Sequence, residues 1–267
     1  MIASLDLGTY SVGTDKKFIP VARDARPARG SLKLGMNPFL IKNESLTALI
    51  DAGLGPFGTP DYHSRMAACL EKHSLSTSDI QHVFCSHMHL DHVGGLLNDR
   101  YGMPELTFPN AVIWVSGEDW KRFVDKADSN GHHEAIRWAA YLEIHADLRF
   151  VEDHPPEPDG ITMTTIGGHT PFHQGIFYKN GSERAMMLGD VLARPEAINR
   201  NFIARFDFDG KKSQENREKY LRMAFHGKYL ILMYHGVKNA ISVLKNYDKD
   251  KGYDVEHIPS ECTGIPA

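Results

Sequence analysis

Apolar positions along this chain come in short runs, most of them too brief for a helix. FLI (39–41) and TALI (47–50) flank the polar KNES, a pattern that predicts a β-hairpin. DAG (51–53) then marks a sharp turn. QHVFC (81–85), AVIWVS (111–116), LRFV (148–151), ITMTTIGG (161–168), GIFYKN (175–180) and RAMMLGD (184–190) are further strands bounded by Gly, Pro or Asp, and YLILMYHG (229–236) is a strand that ends in histidine. Helical spacing is carried by PDYHSRMAACLEKHSL (60–75), with Met66, Ala67 and Leu70 on one side. GEDWKRFVDKA (117–127) and HHEAIRWAAYLEIH (132–145) form two more helices broken at SNG, and KKSQENREKYLRMAFHG (211–227) is a helix with a glycine stop. The first 36 residues predict an edge strand and loops, and the segment after HVGG a loop; the tail from Tyr247 onward carries no clear pattern.

Strand-rich stretches followed by helices, twice over, predict an α+β fold of two packed sheets with helices outside, in one domain over 1–267. Apolar residues at 42% and charged residues at 24% fit a globular protein with a sizeable core. A net charge of −4 argues against a broad nucleic-acid surface. No apolar run reaches the length of a membrane span, and no basic-then-apolar start suggests a signal peptide. Three cysteines, Cys69, Cys85 and Cys262, make no disulfide framework, so a cytoplasmic setting is expected.

The unusual chemistry lies in SHMHLDHVGG (86–95). His87 and His89 are two apart and point the same way in an extended segment, while Asp91 and His92 are adjacent and diverge. One ion cannot easily take all four, but two ions a few ångströms apart can. Zinc takes about four ligands, and a catalytic site keeps a place for water. Further ligands are visible at His169 in GGHTPFHQ, Asp190 in MMLGDVLA and His235 in ILMYHG. The balanced assignment gives His87, His89 and His169 to one ion and Asp91, His92 and His235 to the other, with Asp190 bridging. Burying so many polar groups without a partner would be costly. His173 reads as a supporting residue, His132 and His133 as surface, and Cys85 as core packing.

HxHxDHxGG, GHTPxHQ, GD and a late strand-end histidine, in that order, resemble the metallo-β-lactamase superfamily over nearly the whole chain. LIDAGLG (49–55) is similar to that family's strand ending in Asp-Ala-Gly. The resemblance implies an αββα sandwich and two Zn²⁺, with Fe, Mn or Co able to fill the same cage. Within the family, SHMHLDH, GDVLARPEAI and RFDFDGKKSQENREKYL look closest to the branch of N-acyl-homoserine lactonases and methyl-parathion-type esterases.

The implied activity is hydrolysis of a small-molecule ester or lactone by a hydroxide shared between the metals. Asp91 and Asp190 are its catalytic carboxylates: Asp91 orients the hydroxide and passes its proton to the leaving group. Ala193 stands where the lactonases carry a tyrosine, and Phe172 replaces a usual glycine. Phe172 and the neighbouring Arg194 are therefore the candidate substrate contacts. A glyoxalase-II-like thioesterase would need a basic cluster near the C-terminus, which is absent from the sequence. A mononuclear-iron oxidoreductase of the persulfide dioxygenase kind would need fewer than these seven ligands. A homodimer is left open.

Overall fold

A computed structural model describes residues 1–259 apart from 101, 157 and 159. Two six-stranded sheets form its body. The first runs β1 (Ile2–Ser4), β5 (Phe39–Lys42), β6 (Thr47–Ile50), β7 (His82–Phe84), β10 (Val112–Val115) and β11 (Asp147–Phe150). From β6 to β11 the strands are parallel. Such strands are covered on both faces, which is why TALI, HVF and VIWV read as nearly unbroken apolar runs.

The second sheet runs β12 (Ile161–Thr165), β13 (Gln174–Asn180), β14 (Glu183–Met187), β15 (Leu230–Leu232), β16 (Ile241–Asp248) and β17 (Gly252–Ile258). Here the two-residue period of a strand divides the side chains between two cores. Ala185, Met187 and Leu232 face inward and join Phe39, Leu49, Phe84 and Trp114 in the core between the sheets. Met186 and Ile231, paired in register, face outward and pack with Tyr220, Leu221 and Ala224. Those three belong to α5 (Gly210–Gly227), which covers the second sheet. On the first sheet, α1 (Tyr62–Glu71), α3 (Gly117–Ser129) and α4 (His133–His145) contribute Met66, Trp120 and Trp138 to the main core. This is the expected αββα sandwich.

Three segments differ from the sequence reading. The first 36 residues contribute β1 and also a separate small sheet, β3 (Phe18–Pro20), β2 (Thr9–Val12) and β4 (Leu32–Gly35). The expected loop after HVGG contains a hairpin, β8 (Leu97–Arg100) and β9 (Met103–Leu106). The unassigned stretch from Tyr247 holds the end of β16 and all of β17. SECTGIPA, with Cys262, lies outside the described residues. Cys69 and Cys85 are buried, and among the described residues neither forms a disulfide. Among the described residues no helix is long and apolar enough to cross a membrane.

Candidate metal centre

The strands bring their carboxyl ends to one place. His87 lies three residues past β7, Asp190 three past β14 and His235 three past β15. His169 lies four past β12, which points the same way as β14 because each pairs antiparallel with β13. A short helix, α2 (Leu90–Val93), starts directly after His89 and places Asp91 and His92 on its first turn.

Seven side chains converge there as two groups. The donor atoms of His87, His89, His169 and Asp190 lie within 4.8 Å of one another, and so do those of Asp91, His92 and His235. In the first group His89 Nδ1 is 3.0 Å from His87 Nε2 and 3.1 Å from His169 Nε2. Asp190 divides its oxygens between the groups. Its Oδ2 is 3.3 Å from His169 Nε2, while its Oδ1 is 3.3 Å from His92 Nε2 and 3.2 Å from His235 Nε2. Asp91 Oδ2 closes the second group, 3.4 Å from His235 Nε2 and 3.7 Å from His92 Nε2.

The rear of four of the five rings is held. His92 Nδ1 is 2.6 Å from Asp51, His169 Nδ1 2.9 Å from Asp207, and His235 Nδ1 2.8 Å from the Gly35 carbonyl. His87 Nδ1 is 3.0 Å from the Ser86 hydroxyl. Partners of this kind fix the tautomer and aim the other nitrogen, as is usual around ligating histidines. Asp51 also accepts from the Ser86 N–H at 2.7 Å and the Ser86 hydroxyl at 2.8 Å. Its backbone is left-handed, φ 58°, a conformation that aspartate tolerates better than most residues.

The donor set fits metal cations. His92 Nε2 and Asp190 Oδ1 are buried, yet neither makes a hydrogen bond, although they lie 3.3 Å apart. Leaving such groups unsatisfied costs about 1–3 kcal/mol each. Two cations would satisfy both atoms and the converging nitrogens together.

The protonation of the ion-free cluster follows the same division. Burial, and then the neighbouring rings, hold His87 well below the usual histidine range and His89 down at about 4. In the second group burial also disfavours charge, but the carboxylates outweigh it. Asp51, Asp190 and Asp91 raise His92 well above its ordinary value, and Asp190 with Asp91 raises His235 to about 9. Asp190 itself is held well below the carboxylate range: burial opposes this, but His235, His169 and His92 prevail.

Other side chains hold the loops. Asp119 on α3 accepts the Met88 N–H at 3.0 Å, which ties the middle of the HMH segment to a helix. His173 Nε2 donates to the Leu188 carbonyl at 3.0 Å and lies outside both groups of candidate ligands. Gly189 has φ +47°, and a Cβ there would lie 2.4 Å from His173 Nε2, so the residue before Asp190 must be glycine. Arg217 on α5, buried, donates to the carbonyls of Val191 at 3.2 Å and Phe202 at 2.6 Å. Tyr234 donates to the Asp91 carbonyl at 2.7 Å and stacks on His92 with centroids 4.1 Å apart.

Sequence reasoning assigned no role to Asp51, Asp119, Asp207 or Tyr234. Asp51 and Asp207 do stand in quoted motifs, LIDAGLG and FDFD. Asp119 reads as an ordinary acid in the first turn of a helix.

A cavity of about 670 Å³ opens over the cluster. Val12, Phe18 and Leu34 line one wall, and Phe123, Phe202 and Phe206 line others. Arg194 and Ala193 line it as well, and His132 stands at its edge. Phe172 is not among the lining residues; its carbonyl accepts from the Gln174 side chain at 2.7 Å.

Several solved structures share the fold. A probable metal-dependent hydrolase from Staphylococcus aureus superposes with a TM-score of 0.75 at 23% identity, covering 98% of this chain and 97% of that one. AidC, a dizinc quorum-quenching lactonase solved with a product, gives 0.73 at 20% identity, covering 97% and 93%. An N-acyl homoserine lactone hydrolase with product at its catalytic metal centre gives 0.63 at 17% identity, covering 88% and 92%. Comparison with curated proteins gives no match. Residues 34–224, the stretch that holds Asp51, the cluster from His87 to His92, His169 and Asp190, match the sequence model of the metallo-beta-lactamase superfamily, and the chain belongs to that superfamily.

Proposed function

We propose that this protein is a metal-dependent hydrolase of small esters or lactones that works with two divalent cations, zinc foremost. The observation that carries the reading is the division of Asp190, one carboxylate oxygen toward each group of ligands. His87, His89 and His169 would hold one cation and Asp91, His92 and His235 the other, with Asp190 bridging. When bound, such a pair supplies Lewis acidity and lowers the pKa of water toward neutrality.

The chain's own residues supply the rest. Asp91 lies within reach of both His92 and His235, and its carboxylate carries the proton that the leaving alcohol requires. The apolar walls of the cavity take up an acyl chain and exclude water from it. Arg194, half-buried in the cavity wall, offers a guanidinium to a carbonyl or anionic group of the substrate. Two of the proteins that share the fold are a quorum-quenching lactonase and an N-acyl homoserine lactone hydrolase, which supports the ester and lactone class.

The test is metal analysis joined to a substrate panel. Purified protein should hold about two metals per chain and hydrolyse p-nitrophenyl acetate or a γ-lactone in preference to thioesters and phosphotriesters. Asp190→Ala should abolish both metal retention and activity. One iron per chain, or activity that persists after the metal is stripped, would sink the reading.

A further inference from the structure

A second cavity, of about 460 Å³, lies between α5, the loop at 198–201 and the β16–β17 hairpin. Part of its wall is aromatic. Phe225 packs on Tyr253 with centroids 5.7 Å apart, and Tyr247 packs on the same ring at 4.9 Å. Tyr247 remains 57% exposed, so a large aromatic face is presented rather than buried.

The walls are tied together. Asn199 reads the backbone of Tyr253 as a neighbouring strand would, accepting its N–H at 2.8 Å and donating to its carbonyl at 2.8 Å. Gly252, φ +83°, makes room for this, since a Cβ there would lie 2.5 Å from Asn199 Oδ1. Gln214 on α5 donates to the Asn201 side chain, which joins the loop to the helix.

The charge on the lining is mainly positive. Arg200, Arg217 and Arg222 line the cavity against a single carboxylate, Glu218, with His226 beside them. Arg217 is already engaged by the carbonyls of Val191 and Phe202 and by the Phe202 ring, 4.0 Å from its guanidinium carbon. Arg200 and Arg222 are exposed, and among the described residues no carboxylate lies within ion-pair distance of either. A guanidinium binds a carboxylate through two parallel hydrogen bonds, and tyrosine faces take planar rings by offset stacking.

We infer that this cavity, which meets the metal cavity only at Arg217, is a second binding site for a small planar aromatic carboxylate. The ring would lie against Tyr247 and Tyr253, and the anionic group would be taken by Arg200 and Arg222. The inference does not depend on the hydrolase reading, because binding here uses none of the seven clustered residues.

The test uses the full chain, titrated with 1-naphthoate and with the neutral 1-naphthamide by calorimetry and ligand-observed NMR. The acid should bind at least tenfold more tightly than the amide. Arg200→Glu/Arg222→Glu, a change at two exposed positions, should weaken the acid at least tenfold and leave ester hydrolysis unchanged. Tyr247→Ala should weaken acid and amide alike. Asp190→Ala, which disables the metal centre, should leave naphthoate binding intact. Four results would overturn the inference: no saturable binding, equal affinity for acid and amide, full binding in the double charge reversal, or binding lost with Asp190→Ala. The last would place the anion on the metals. A dimer that comes apart in the double variant, with no naphthoate bound by either form, would likewise overturn it in favour of a contact between copies.

Discussion

Asp51 sits 2.6 Å from His92 Nδ1, and this contact decides which nitrogen His92 turns toward the centre. Both side chains are fully buried. With Nδ1–H given to the carboxylate, Nε2 facing Asp190 is the nitrogen that gives up its proton and offers a lone pair when a cation binds. Asp51→Asn keeps the size and the tolerance of a left-handed backbone, but its single amide oxygen cannot accept the Ser86 N–H on one side and His92 on the other. The expected outcome is a second-group cation bound about 10–100-fold more weakly, with the first group little changed. Metal content after dialysis against graded chelator checks this. Equal loss from both groups would show that Asp51 shapes the whole loop instead.

The two groups should also differ in their response to pH. In the first group His87 and His89 are held low, His89 at about 4, so these two rings are neutral and ready for a cation at pH 7. Those of the second group are raised, His235 to about 9, and must give up protons when a cation arrives. Calorimetry of metal-free protein in buffers of different ionisation enthalpy should find proton release at pH 7 with one of the two equivalents only, and less of it once pH passes about 9. The sign for stability follows. A raised folded pKa stabilises the ion-free protein below the unfolded value of about 6.5, and that contribution is lost as pH rises toward 9. Denaturant midpoints of metal-free protein should therefore fall between pH 6.5 and 9.

The seven clustered residues were legible in sequence because a metal demands particular donor atoms, and those residue types recur just past strands. His87, His89, Asp91 and His92 announce themselves by spacing, and His169, Asp190 and His235 by their place after an apolar run. Asp51, Asp119 and Asp207 were not legible as positioning groups. Their partners are 41, 31 and 38 residues away, and a lone acid says nothing about which distant ring or amide it will meet. The missed strands have a different cause. β8, β9 and the outer half of β16 carry polar or exposed residues, and backbone pairing with the adjacent strand, rather than an apolar stripe, defines them.

Gly189 tests how tightly the bridging carboxylate is set. Gly189→Ala places a methyl 2.4 Å from the His173 ring in a backbone region of positive φ. His173 is fully buried among other rings and has no room to retreat. The expected cost is about 2–4 kcal/mol of stability, read as a lower denaturant midpoint. Activity per folded molecule should also fall, because the turn that carries Asp190 must shift. A variant of unchanged stability would mean that the turn is softer than this packing implies.

Arg194 and Phe172 stood together as candidate substrate contacts, and their positions now separate them. Arg194 lines the cavity and Phe172 does not. If Arg194 meets a carbonyl or anionic group of the substrate, Arg194→Ala removes a charge-assisted hydrogen bond of about 1.5–3 kcal/mol. That corresponds to a fall of about 10–100-fold in kcat/KM, with metal content intact. Phe172→Gly should change kcat/KM for the same ester by less than about threefold, since the ring is outside the lining. Its effect should appear instead as a modest loss of stability, because Phe172 is partly buried beside the Gln174 side chain. Steady-state kinetics on zinc-loaded enzyme, with metal counted in each variant, separates the two. The reverse pattern, with Phe172→Gly crippling turnover and Arg194→Ala silent, would mean that the substrate enters from the side of the His169 loop rather than through the described cavity.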